Sequence, residues 1–100
     1  MRHYEAMYIV DPDVLDDQME PIVERYKQVV TDMGGVVTEA GLWEQGRRRL
    51  AYPINGRREG VYVLMQFEAG QNVPAELDRV LRISDNVLRH IIVKLDPDEE

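Results

Sequence analysis

The sequence has no cysteine. Disulfides, thiolate metal centres and cysteine nucleophiles are therefore excluded, which fits a reducing compartment. No apolar run approaches the roughly 20 residues that a membrane-spanning helix needs, and no signal peptide opens the chain. A soluble, cytosolic protein is expected. Histidine occurs only as His3 and His90, neither with a neighbour at triad or metal-ligand spacing, and both are read as structural. Asp11, Asp13, Asp16 and Asp17 lack the glycine and spaced glutamate of a calcium loop; they read as a solvated loop and a helix cap. Gly34-Gly35 follows a helical pattern, the reverse of the strand–loop–helix order of a phosphate-binding loop. No convergent catalytic constellation is visible. An enzyme, a metal, a cofactor and a small-molecule substrate are all not expected.

Positive charge is scarce overall, with a net charge of −7, but it is unevenly placed. Residues 1–45 carry three Lys/Arg against ten Asp/Glu, residues 46–95 carry nine against five, and residues 96–100 carry four acids and no base. Affinity for nucleic acid comes from local phosphate contacts. A segregated basic face can therefore bind RNA on an acidic protein.

The pattern along the chain alternates strands and helices. His3 to Val10 reads as a strand with Tyr4, Ala6, Tyr8 and Val10 on one apolar face, ended by Asp11-Pro12-Asp13. Leu15, Met19, Ile22, Val23, Tyr26, Val29, Val30 and Met33 then recur at helical spacing. Asp16 or Asp17 can cap that helix, Pro21 falls in or just beyond its first turn, and Gly34-Gly35 ends it. Val36 to Tyr52 reads as a long second strand, bulged or bent at Gly41 or Gly46. Asn55 to Gly60 reads as a hairpin connection and Val61 to Glu68 as a third strand, with Val61, Val63, Met65 and Phe67 on one face. A second helix follows, capped by Asn72, with Pro74 in its first turn and Val73, Leu77, Val80 and Leu81 as its buried stripe. Ser84-Asp85-Asn86 turns into a last strand, Val87 to Leu95, whose facing stays open: Val87, Ile91 and Val93 compete with Leu88, Ile92 and Leu95 for the core.

This order predicts an α+β, ferredoxin-like βαββαβ sandwich: a four-stranded antiparallel sheet with two helices on one face. Residues 1–95 form one domain and residues 96–100 a short acidic tail. The other sheet face stays open and carries Met7, Ile9, Tyr62 and Leu64. An apolar face left open implies a partner.

Three adjacent arginines, Arg47, Arg48 and Arg49, cannot all be buried. On a strand they suit phosphate or carboxylate oxygens; the alternative is a solvated edge strand that blocks aggregation. Arg2, Arg82, Arg89 and Lys94 complete the candidate RNA-binding set. Elements remote in sequence can converge at one edge of such a sandwich. Tyr4 and Tyr52 read as core, whereas Trp43 and Leu42, on an edge strand, are candidate protein contacts together with Tyr62 and Leu64.

Met1-Arg2-His3-Tyr4-Glu5, the segment Gly46 to Ile54 (GRRRLAYPI) and Leu81 to Arg89 (LRISDNVLR) resemble bacterial small-subunit ribosomal protein six, from Met1 to about Lys94. The resemblance implies a non-catalytic RNA-binding component of the cytoplasmic ribosome. It also implies joint binding, with small-subunit ribosomal protein eighteen, to the central domain of the small-subunit ribosomal RNA. Carried over by position, it implies RNA or partner contacts at Arg2, Arg47 to Arg49, Arg82 and Arg89. Some members have arginine where this chain has Ser84 and Leu88; fewer charges there shift weight from the RNA to the partner protein. Two other readings remain on residues alone. One is a ferredoxin-like domain that senses a small molecule on its open face, and the other a homo-oligomer packed sheet to sheet.

Overall fold

Alternation along the first and third strands builds the core. In a strand, successive side chains take opposite faces, so a period of two yields one wholly apolar surface. The computed structural model describes residues 1–14, 16–54 and 56–95, and at 16, 42–54, 57 and 58 it describes the backbone alone. Six elements follow one another: β1 (Arg2–Val10), α1 (Asp16–Asp32), β2 (Val36–Ile54), β3 (Arg57–Ala69), α2 (Val73–Arg82) and β4 (Val87–Lys94). The strands form one antiparallel sheet in the order β2-β3-β1-β4, which is the expected ferredoxin-like arrangement. Tyr4, Ala6, Tyr8 and Val10 of β1 and Val61, Val63, Met65, Phe67 and Ala69 of β3 are buried beneath the helices. Met19, Tyr26 and Val30 of α1, and Val73, Leu77 and Leu81 of α2, seal them.

Several details differ from the expectation drawn from the chain. The hairpin between β2 and β3 is tighter: β3 begins at Arg57, Ile54 pairs with Arg57, and Gly56 takes φ +80°, as a two-residue hairpin turn requires. Gly41 stays in register opposite Leu64, and the irregularities of β2 fall between Val37 and Glu39, Leu42 and Arg47, and Arg49 and Ile54, the second of which includes Gly46. Asn72 occupies the cap position of α2 but makes no side-chain cap bond. Its helical backbone, at φ −85° and ψ −12°, departs from the extended cap geometry that aims the side chain at the first turn. Asp16 and Asp17 both lie inside α1, and Pro21 falls just beyond its first turn. Met33 is exposed beyond the end of that helix.

The facing of β4 is settled by its pairing with β1, which sets Ile92 opposite buried Ala6 and Ile91 opposite Met7, and by an irregularity in β4 itself. Ile9 pairs with Arg89 and Val10 with Val87, so the register shifts by one residue between them. Val87 and Ile92 consequently both pack on the core, although their spacing is odd. Ile91 and Val93 are left on the open face, 59% and 39% exposed.

Two packing details have measurable consequences. At the α1–β2 junction Gly34 takes φ +87°, and the N–H of Gly35 donates to the carbonyl of Val30 at 2.9 Å. A Cβ on Gly35 would stand 2.7 Å from Val30 Cγ1 and 3.0 Å from the carbonyl oxygen of Glu68. Backbone oxygen cannot step aside as a side chain can, so Gly35→Ala should cost about 1–3 kcal/mol in denaturant unfolding. The Tyr8 hydroxyl lies in the core, edge-on to Tyr26 with ring centroids 5.0 Å apart, and has no hydrogen-bond partner among the described residues. Burial, with Tyr26 beside it, pushes that phenol well above its usual range. An unpaired buried polar group costs about 1–3 kcal/mol. Tyr8→Phe should therefore leave thermal stability unchanged or raise it, and a clear loss would show that the hydroxyl is satisfied.

Candidate nucleic-acid interface

The pairing of strands decides which charged residues meet. Arg2 is opposite Ala69, and Tyr4 is opposite both Phe67 and Lys94. Arg2 and Lys94 thereby come together at one end of the sheet, beside the loop that leads into α2. With Met1, Tyr4, Ala69, Gly70 and Gln71 they line a mostly polar hollow of about 290 Å³. Arg82 and Arg89 meet at the other end of β4, around a second hollow of about 250 Å³ also lined by Leu81, Val87, Leu88 and His90. Arg89 and Lys94 lie on one edge strand, about 17 Å apart for five residues. These four bases therefore flank the α2–β4 side of the molecule.

Arg47, Arg48 and Arg49 are elsewhere. Arg47 is opposite Val61, Val61 opposite Val10, and Val10 opposite Val87. The arginine run thus lies on β2, about 14 Å across three strand spacings from β4. The candidate bases occupy two edges of the sheet, not one. Their side chains, and those of Leu42, Trp43 and Tyr52, lie outside the described residues.

The open face is graded in charge. One cross-strand row runs Gly41, Leu64, Met7, Ile91, and the next runs Tyr62, Ile9, Arg89. Met7, Ile9, Arg89, His90 and Ile91 border a shallow apolar groove of about 370 Å³. On the opposite side the rows become acidic: Glu39, Gln66, Glu5, Val93, then Val36, Glu68, His3. Gln66 Nε2 donates to Glu5 Oε2 at 3.0 Å, and His3 Nε2 lies 3.1 Å from Glu68 Oε2. Tyr62 and Leu64, both expected at a protein contact, are half-buried on this face.

One group was not singled out from the chain. Asp78, on α2, accepts from Arg82 Nη2 at 2.8 Å and stands 2.7 Å from His90 Nε2. The hydrogen bond with His90, then the charge of Arg82, holds its carboxyl below the usual aspartate range. The four-residue spacing of Asp78 and Arg82 was legible; the approach of His90 from β4 was not. Ser84 has its own structural place: Tyr26 donates to its Oγ at 2.6 Å, and that hydroxyl donates to the Val80 carbonyl at 2.7 Å.

Comparisons with known proteins agree with this architecture. The family described as ribosomal protein S6 matches residues 3–94. The small ribosomal subunit protein bS6 of Desulforamulus reducens is 48% identical over 94 residues, covering 94% of this chain and 97% of its own. That of Desulforudis audaxviator is 46% identical over 96 residues, covering 96% of this chain and 100% of its own. The crystal structure of 30S ribosomal protein S6 from Thermotoga maritima superposes with a TM-score of 0.86 at 27% identity, covering 94% of this chain and 87% of the other. With a matching fold, a family match over nearly its whole length and relatives near half identity, this chain belongs to the ribosomal protein S6 family, a family of ribosomal structural proteins and not of enzymes.

Proposed function

We propose that the chain is a non-catalytic component of the bacterial small ribosomal subunit, in the cytoplasm, that binds the central domain of the small-subunit ribosomal RNA together with small-subunit ribosomal protein eighteen. The observation that carries this reading is the separation of charge. Arg2 and Lys94 share one hollow and Arg82 and Arg89 another, along one side of the sandwich. Each hollow presents two cations to a passing phosphate, which fixes register without reading sequence. The open face instead offers an apolar strip beside Glu5, Glu39 and Glu68, a surface complementary to a basic, amphipathic partner. An acidic protein with basic edges suits both tasks. The face as a small-molecule pocket lacks support: its groove is shallow, and the acids lie in other rows.

Binding to a central-domain RNA fragment, with and without ribosomal protein eighteen, across a salt series tests this reading. Tight binding only with the partner, weakening as salt rises, is expected. Arg2→Ala, Lys94→Ala and Arg47→Ala should each flatten the salt slope by about 0.7–0.9 while leaving thermal stability nearly unchanged. An equal loss of folding stability would reassign those residues to the fold. Glu39 is exposed, and Glu39→Lys should slow and weaken association with ribosomal protein eighteen at low salt while sparing the fold. Unaltered association would remove the acidic rows from the partner surface.

A further inference from the structure

The chain leaves the sheet beside two cations. Tyr4 is opposite Lys94, and one step further the Leu95 N–H donates to the His3 carbonyl at 2.8 Å. Residues opposite one another share a face, so Arg2 and Lys94 project on the side of buried Ala69 and Tyr4. There, with Gly70 and Gln71, they line the polar hollow of about 290 Å³. Asp96, Pro97, Asp98, Glu99 and Glu100 come next and lie outside the described residues. We infer that this acidic segment turns back onto Arg2 and Lys94 and occupies their hollow, so that an RNA phosphate binds there only by displacing it. The inference rests on the RNA-binding reading above and adds a competitor, carried by the chain itself, at the same site.

Register, charge and length point the same way. The ladder between β1 and β4 is antiparallel, with Tyr4 at Lys94 and His3 at Leu95, so its next step sets position 96 opposite Arg2. Opposite charges directly across such a pair stabilise it. A residue that precedes proline favours extended backbone, which suits Asp96 to that step. Pro97 cannot donate to a ladder and ends the strand there. Asp98, Glu99 and Glu100 follow, and three extended residues span about 10 Å, the scale of the hollow itself. Each pair between exposed charges is weak, because water and salt screen it. Tethering offsets that weakness. The carboxylates begin two residues from Lys94 and meet the cations at an effective concentration on the order of millimolar. A stray RNA phosphate that fits only this hollow therefore competes poorly. An RNA held at several places at once displaces the segment, because its other phosphate contacts have already fixed its register. The segment thus favours an RNA that engages the whole surface over one that touches a single basic spot.

The test uses the full chain with Asp96→Asn, Asp98→Asn, Glu99→Gln and Glu100→Gln combined. A control variant makes the same change of charge on exposed residues of α1: Asp17→Asn, Glu20→Gln, Glu24→Gln and Asp32→Asn. Thermal unfolding of each variant separates any loss of fold. On the free protein, NMR follows the backbone amides of Gly70 and Gln71 and the Arg2 Nε–H. The tail variant should shift these signals and the α1 control should not; signals that ignore the tail variant overturn the inference. With ribosomal protein eighteen present, the tail variant should bind the central-domain RNA fragment about fivefold more tightly, as for a hollow open about a fifth of the time. That gain should vanish when Arg2→Ala and Lys94→Ala are added, since the segment then has nothing to cover. No gain would overturn the inference. So would a gain that survives both replacements or that the α1 control matches, because either would show only a long-range repulsion of RNA. Absence of RNA binding by every form would count against the functional reading alone, and the NMR comparison then decides whether the segment occupies the hollow.

Discussion

The two central strands, β1 and β3, each have a hydrogen-bonded neighbour on both sides and one face sealed by helices. That double constraint holds the remainder of the molecule in place. A slip of one residue would turn Tyr8 and Met65 out to water and bring Met7 and Leu64 in, a change of face for every side chain in the strand. Tyr8, Val63, Met65 and Phe67 are buried to 1% exposure or less, so such a slip would cost far more than any local adjustment recovers. The register is therefore rigid, and with it the position of every charged residue at a strand end.

Function follows from that rigidity through placement, not through perturbed chemistry. Arg2 and Lys94 share a hollow because the pairings of Tyr4 and Ala69 put them there. Arg82 and Arg89 share another because α2 runs along β4 and stops where that strand begins. The acids of the open face occupy neighbouring rows because Glu5, Glu39 and Glu68 sit on three different strands in compatible register. A long-range field of one sign would not separate an RNA from a basic protein. Surfaces of opposite character on one rigid sheet can, because screening in salt confines each to its own neighbourhood.

Much of this was legible in the chain. Period-two alternation in His3 to Val10 and Val61 to Glu68 named the buried face of both central strands, because burial on one side leaves no other arrangement. The stripe Val73, Leu77, Leu81 named the inner face of α2, and Gly34 named the end of α1. The misses have physical causes. Asn72 has the side chain of a cap but a backbone turned into the helix, which composition does not encode. β3 begins at Arg57 and not at Val61 because ladder pairing extended into charged residues, Arg57 to Glu59, that alternation alone could not assign.

The sequence by itself determined the element order, the identity of the core and the presence of two opposed stores of charge, since these depend on patterns within single segments. Tertiary structure decided what meets what. Pairing with Glu5, Ala6 and Met7 sent Val93 and Ile91 to the open face and Ile92 to the core, and the shift between Ile9 and Val10 brought Val87 to the core as well, a choice that β4 alone left balanced. The same pairing brought His90 up to Asp78, twelve residues away on another element. Contacts between elements are set by register and packing, and neither is written in the spacing of one segment.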